Sequence, residues 1–191
     1  MSKWRLTRQR AALVVIDLQE RLLGVMAPKV VDQVIGNVRK LVKIAQVLGI
    51  EILWTEQYPK GLGPTVPALR ESLEGEQPLE KTVFSCYAVE AFQRRLREGG
   101  IEQVVVTGTE THICVLQTVL DLVGAGFHVH VVSDACISRH KENWKVGLSI
   151  MREAGAVISS TETVAFQLLG EAGTPEFKEI SPLFKDSGAK A

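Results

Sequence analysis

The sequence specifies an α/β protein, a three-layer α/β/α sandwich around a six-stranded parallel sheet, and three observations point to it. Short apolar, β-branched runs recur along the chain, longer stretches with helical periodicity separate them, and the strands end in polar residues. When helices cover both faces of a sheet, neither side of a strand meets water, so its strands read as continuous apolar runs.

Taken in order, AALVVID (11–17) reads as a buried strand and VDQVIGNVRKLVKIAQVLG (31–49) as an amphipathic helix ending at Gly49. IEILWT (50–55) is the second strand, and the Gly and Pro content of EQYPKGLGPTVP marks an irregular loop after it. A short extended piece is expected around Thr82 to Ser85, then a helix over VEAFQRRLREGG (89–100). EQVVVTG (102–108) is the next strand, followed by a helix over VLQTVLDLVGAG (115–126). FHVHVVSDA (127–135) is the fifth strand, ENWKVGLSIMREAG (142–155) a helix and AVISST (156–161) the sixth strand.

A chain of 191 residues fills one core. The expectation is a single domain over 1–185 with a loose tail, DSGAKA, at 186–191. Basic and acidic residues balance at 22 each, which removes the positive field that nucleic-acid or anionic-membrane partners need. No apolar segment reaches membrane-spanning length, and the apolar run after the basic N-terminus is too short for a signal peptide. Cys86, Cys114 and Cys136 form an odd set without metal-ligand spacing, which fits a reducing compartment and gives a cytoplasmic location as the expectation. DLQERLLG after the first strand has neither a glycine fingerprint nor a P-loop, which disfavours a nucleotide-binding regulator.

In open parallel sheets ligands bind outside the carboxyl ends of the strands, so polar residues there become the candidates. Asp17, Thr55 with Glu56, the turn TGTETHIC (107–114) and Asp134 occupy those ends. Cys114 sits at the start of a helix, where unpaired N–H groups and the dipole favour a thiolate nucleophile; a small buried residue is the other reading. Asp17 is either the cap of the next helix or a general base to the thiol. Lys81 is either a solvated surface lysine or a cation that stabilises the thiolate and orients the aspartate.

Three motifs carry a resemblance: D-x-Q (Asp17, Gln19), K-x-x-x-S (Lys81, Ser85) and G-x-x-T-x-x-C-V (Gly108, Thr111, Cys114, Val115). They resemble those of the isochorismatase-like cysteine hydrolases over about residues 10–165, and VVSDACISR, with Asp134, Ala135 and Ser138, is similar to a later stretch of that family. TEQYPKGLGPTV and FQLLGEAGTPEFKEI look most like its isochorismatase-domain-containing group. The resemblance implies a Rossmann-like fold, a catalytic Asp17, Lys81 and Cys114, and a homo-oligomer. It also implies a cis peptide between Thr109 and Glu110 that aims the N–H groups of Glu110 and Cys114 at one point, an oxyanion hole. The nicotinamidase branch of the family carries a metal held by an aspartate and histidines after the second strand. Here that segment has no histidine and Glu56 as its one acid, so no metal and no cofactor are expected.

The function expected is cleavage of a small amide or related C–N bond through a thioester-like intermediate on Cys114, with Lys81 lowering the thiol's pKa. The competing class is a non-hydrolytic oligomeric binding or thiol redox-sensing protein. The expected substrate-binding residues are Gln19, Glu56, Gln57, Tyr58, Leu62, Phe84 and His112, with the Gln57 to Pro67 loop setting specificity. Trp54 and Phe84 are equally consistent with core packing, and His112 with stabilising the turn. His128 and His130 alternate on a strand without a third ligand and read as core or interface histidines, Cys86 and Cys136 as packing residues, with Cys136 a conceivable redox partner. The segment from Phe166 to Phe184 is the expected contributor to oligomer contacts.

Overall fold

The computed structural model describes residues 3–73, 75 and 77–185, and the tail expected at 186–191 lies outside them. The central strand β1, Ala11–Ile16, is buried throughout. Ala11, Leu13 and Val15 enter one core cluster and Ala12, Val14 and Ile16 the other, the two-residue period of a strand buried on both faces. After β1 come a single turn α1, Glu20–Leu23, and the long helix α2, Pro28–Leu48. α2 starts three residues before the 31–49 expected, because Pro28 occupies its first turn, and stops where Gly49 adopts φ 65°.

β2 is Glu51–Gln57, ending two residues beyond its apolar run. The extension exists because the third strand, β3, is Leu79–Lys81 and not 82–85; it pairs Thr55 with Leu79 and Gln57 with Lys81. The loop between them is not irregular: it holds two short helices, α3 at Pro59–Leu62 and α4 at Pro67–Arg70. Helix α5, Glu90–Glu98, leads to β4, Gln103–Thr109. A π-helical turn, Thr111–Val115, then opens helix α6, Leu116–Gly124. β5 is His128–Ile137, α7 Lys141–Glu153 and β6 Val157–Ser159. β6 ends early because Ser160 leaves it to cap α8, Thr161–Leu169, accepting from the Thr163 N–H. Thr174 caps the last helix, α9, Pro175–Ile180, in the same way.

The six strands run in the order β3-β2-β1-β4-β5-β6, and every neighbouring pair is parallel. α2, α8 and α9 cover one face, α5, α6 and α7 the other. The order reverses between β1 and β4, which opens a crevice at their carboxyl ends. Gly108 marks that point: at φ 125°, a Cβ added there would lie 2.1 Å from the Ile16 carbonyl oxygen, so no other residue lets β4 run this close to β1. Phe166, Phe177 and Phe184 form an aromatic cluster, with Phe184 packed against the core under α2, while Phe166 stays 40% exposed. Among the described residues no helix is long and apolar enough to cross a membrane.

Candidate active site

Asp17 follows β1 with φ 51°, Lys81 ends β3, and Cys114 lies in the turn after β4, so the crevice receives one residue from each. All three are almost wholly buried. Lys81 Nζ donates to Asp17 Oδ2 at 2.6 Å, to Gln57 Oε1 at 2.7 Å and to the Phe84 carbonyl at 3.1 Å. Thr55 Oγ1 donates to the other oxygen, Asp17 Oδ1, at 2.7 Å. The carboxylate is thereby fixed at both oxygens, which is how a buried ion pair is made tolerable.

Burial pushes the Cys114 thiol well above its ordinary pKa, and the Asp17 charge and a hydrogen bond to it act the same way. Lys81 does pull it down, as expected, but does not win. The surroundings of the thiol therefore favour its protonated form over a preformed thiolate, beside the Asp17–Lys81 ion pair. For Lys81, burial acts to lower the pKa, but Asp17, then Cys86 and Cys114, outweigh it and raise the pKa above 10.5. Cys86 joins this cluster: its thiol lies 3.7 Å from Thr55 Oγ1, and burial holds it up to about 11.

The turn around Cys114 is clamped from two sides. Thr118 Oγ1, one helical turn on, donates to the Cys114 carbonyl at 2.7 Å and accepts from the Cys86 N–H at 2.9 Å. From the other side, the Glu110 carboxylate accepts from the Arg139 backbone N–H at 3.0 Å and from its Nε at 3.2 Å. His112 Nδ1 is 3.0 Å from Ser138 Oγ, and its Nε2 is 3.3 Å from Asn143 Nδ2. Gly147 of α7 lets the helix approach: a Cβ there would lie 2.9 Å from the Thr111 carbonyl oxygen. The Thr109–Glu110 peptide is cis.

The residues expected to touch substrate divide into two groups. Gln19 is fully buried, and its amide staples the loop after β2, donating to the Gln57 carbonyl at 3.0 Å and the Gly63 carbonyl at 2.6 Å and accepting from the Gln57 N–H at 2.7 Å. Buried Glu56 accepts from the Thr65 N–H at 2.6 Å, Gln57 supports Lys81, and His112 faces the β5–α7 junction. Their polar groups serve the scaffold of the site. Tyr58 and Phe84, by contrast, are 54% and 51% exposed, and Leu62 is half-buried. Trp54 is packed in the α2-side core.

Thr55 stood among the candidates at the strand ends, whereas Thr118, Arg139, Asn143 and Gly147 had no assigned role in the sequence, although Thr118, four residues after Cys114, has the spacing of a helix back-bond. His130 is buried and bonds the Lys3 carbonyl at 2.9 Å, and Cys136 is a core thiol that burial holds up to about 12. No group of three His, Cys, Asp or Glu side chains among the described residues is arranged to hold a metal ion.

The Isochorismatase domain model matches residues 11–163. Isochorismatase domain-containing protein 2 of Bos taurus is 42% identical over 175 residues, 91% of this chain and 82% of that protein. Among solved structures, the MAR1 ribonuclease of Caenorhabditis elegans superimposes with a TM-score of 0.89 at 38% identity, covering 96% of this chain and 93% of that one. YcaC of Escherichia coli, described as an octameric hydrolase of unknown specificity, gives a TM-score of 0.81 at 26% identity, covering 87% and 83%. With the match spanning all six strands and the crevice between β1 and β4, the chain belongs to the isochorismatase domain family.

Proposed function

We propose that the protein is a cysteine hydrolase that cleaves a small amide or related C–N bond, with Cys114 as nucleophile, Asp17 as general base and Lys81 as the cation that holds the base. The observation that carries this reading is the convergence of buried Asp17, Lys81 and Cys114 at the carboxyl edge of the sheet, with Lys81 and Thr55 fixing both oxygens of the carboxylate. Because the thiol rests protonated, the thiolate forms only as its proton passes to Asp17 and sulfur attacks the carbonyl carbon. The N–H groups of Glu110 and Cys114 hold the resulting oxyanion. Asp17 returns the proton to the leaving amine as the C–N bond breaks, leaving a thioester. Water, deprotonated by Asp17, then releases the acid and the thiol regains its proton. No step calls on a cofactor or a metal.

Exposed Tyr58 and Phe84, with Leu62, are the residues proposed to meet the substrate. A redox-sensing role is disfavoured, since sensor thiols are exposed and of low pKa, whereas Cys114 is 5% exposed and held protonated. RNA cleavage is disfavoured for this chain by its balanced charge and by the neutralisation of Lys81 by Asp17. A homo-oligomer is proposed from the octameric E. coli relative, and a cytoplasmic setting from the three unpaired thiols. The test is turnover of a panel of small aliphatic and aromatic amides by wild type and Cys114→Ala. Amide hydrolysis lost in the variant supports the scheme, and hydrolysis retained overturns it.

A further inference from the structure

On the α2 side of the sheet's carboxyl edge, a cavity of about 630 Å³ opens between the first turns of α2 and the junction of β5 with α7. Small organic ligands are held in cavities of about 300–1,000 Å³. Asp17, Lys81 and Cys114 do not line it, so it is separate from the site above. One wall is apolar, formed by Val30, Val34, Ile137 and Trp144, and Val30 is 46% exposed, an apolar surface that a ligand would cover.

The rest of the lining carries Arg139 and Lys141. The one carboxylate in the lining, Asp134, turns its Oδ1 to Thr161, accepting from the N–H at 2.8 Å and from Oγ1 at 2.9 Å, and stands against the two cations. Arg139 gives Glu110 its backbone N–H and Nε, which leaves its two terminal NH₂ groups without a partner among the described residues. The Lys141 ammonium has none there either.

We propose that this cavity binds a small apolar monocarboxylate, its body against Val34, Ile137 and Trp144 and its carboxylate on the Arg139 terminal nitrogens and Lys141. A planar guanidinium edge matches a carboxylate in two parallel hydrogen bonds, which favours an organic acid over a neutral molecule of the same shape. Arg139 would then bridge the ligand and Glu110, and Ser138, in the same wall, holds His112. An occupied cavity thus lies one side chain away from the turn that carries Cys114.

Hexanoate is the probe and hexan-1-ol its uncharged counterpart, titrated at constant ionic strength while Trp fluorescence is followed. The expected result is a saturable hexanoate response, about tenfold tighter than that of hexan-1-ol and weakened about tenfold by Lys141→Gln, which leaves the Arg139–Glu110 pair intact. Trp144→Phe removes the signal, and protein alkylated at Cys114 still binds. Should Trp144→Phe not fold, the hexanoate-dependent rise in Tm of wild type against Lys141→Gln decides the same question. Equal affinity for hexan-1-ol, indifference to Lys141→Gln, or loss of binding on alkylation of Cys114 overturns the proposal.

Discussion

Lys81 Nζ lies 2.6 Å from Asp17 Oδ2, with neither side chain exposed to solvent. Bringing two charges out of water is costly, and only close pairing with further hydrogen bonds offsets it. Lys81→Met leaves the Asp17 carboxylate buried without its cation and is expected to cost about 3–5 kcal/mol in urea unfolding. Adding Asp17→Asn to that variant is expected to recover part of the loss. Additive penalties would show that the two charges do not depend on each other.

Alkaline pH is expected to destabilise the protein in two stages. Burial holds Cys86 at about 11, Cys136 at about 12, and Cys114 higher still, against an ordinary 9.0. Above pH 9 the unfolded chain therefore releases protons that the native state keeps, and stability falls as pH rises. For Cys86 alone the loss reaches about 3 kcal/mol once its native thiol has also ionised. Lys81 follows later: its contribution is fully present below 10.5 and disappears as pH rises through its higher folded value. Urea unfolding between pH 7 and 10.5 should show a falling limb that is shallower in Cys86→Ala.

The charge of Asp17 opposes ionisation of Cys114, while that of Lys81 favours it. Alkylation of wild-type Cys114 by iodoacetamide, with Cys86 and Cys136 replaced, is expected to be slow at neutral pH and to climb steadily into the alkaline range. Lys81→Met should slow it and Asp17→Asn should speed it, although Asp17→Asn is expected to abolish amide turnover. A plateau below pH 7 in wild type would mean a preformed thiolate, contrary to the burial and charge around this thiol.

Helix α7 approaches the turn that carries Cys114 at Gly147, where an added Cβ would stand 2.9 Å from the Thr111 carbonyl and 3.1 Å from His112 Cα. Both contacts are backbone, so they cannot swing aside. Gly147→Ala is expected to cost about 1–3 kcal/mol in urea unfolding and to reduce turnover by displacing the turn. Gly36→Ala, in α2 where nothing lies within 4 Å of the new Cβ, serves as the control for helix propensity alone and is expected to stabilise by about 0.5–1 kcal/mol.

The sheet was legible because β1 and β4 are buried on both faces, which leaves β1 and the Val104–Val106 centre of β4 as continuous apolar runs. Asp17 and Cys114 were legible because they follow those strands directly. β3 was not: it is a three-residue edge strand, and its one buried residue is Lys81, whose burial depends on a partner that lies 64 positions away in sequence. Nor does local sequence reveal that Gln19 and Glu56 turn inward to hold the loop after β2, since a buried amide or carboxylate is recognised only by its distant partners. α8 and α9 did carry readable signals, Ser160 and the pair Thr174–Pro175 at their starts.

The most direct test of the nucleophile assignment is intact-mass spectrometry of the protein quenched during turnover of an activated amide, followed by peptide mapping. The expected result is a mass increase equal to the substrate's acyl group less one hydrogen, located on Cys114 and absent from Cys114→Ala. Turnover by Cys114→Ala, or an acyl group on Cys86 or Cys136 instead, would contradict the assignment of Cys114 as the nucleophile that Asp17 and Lys81 serve.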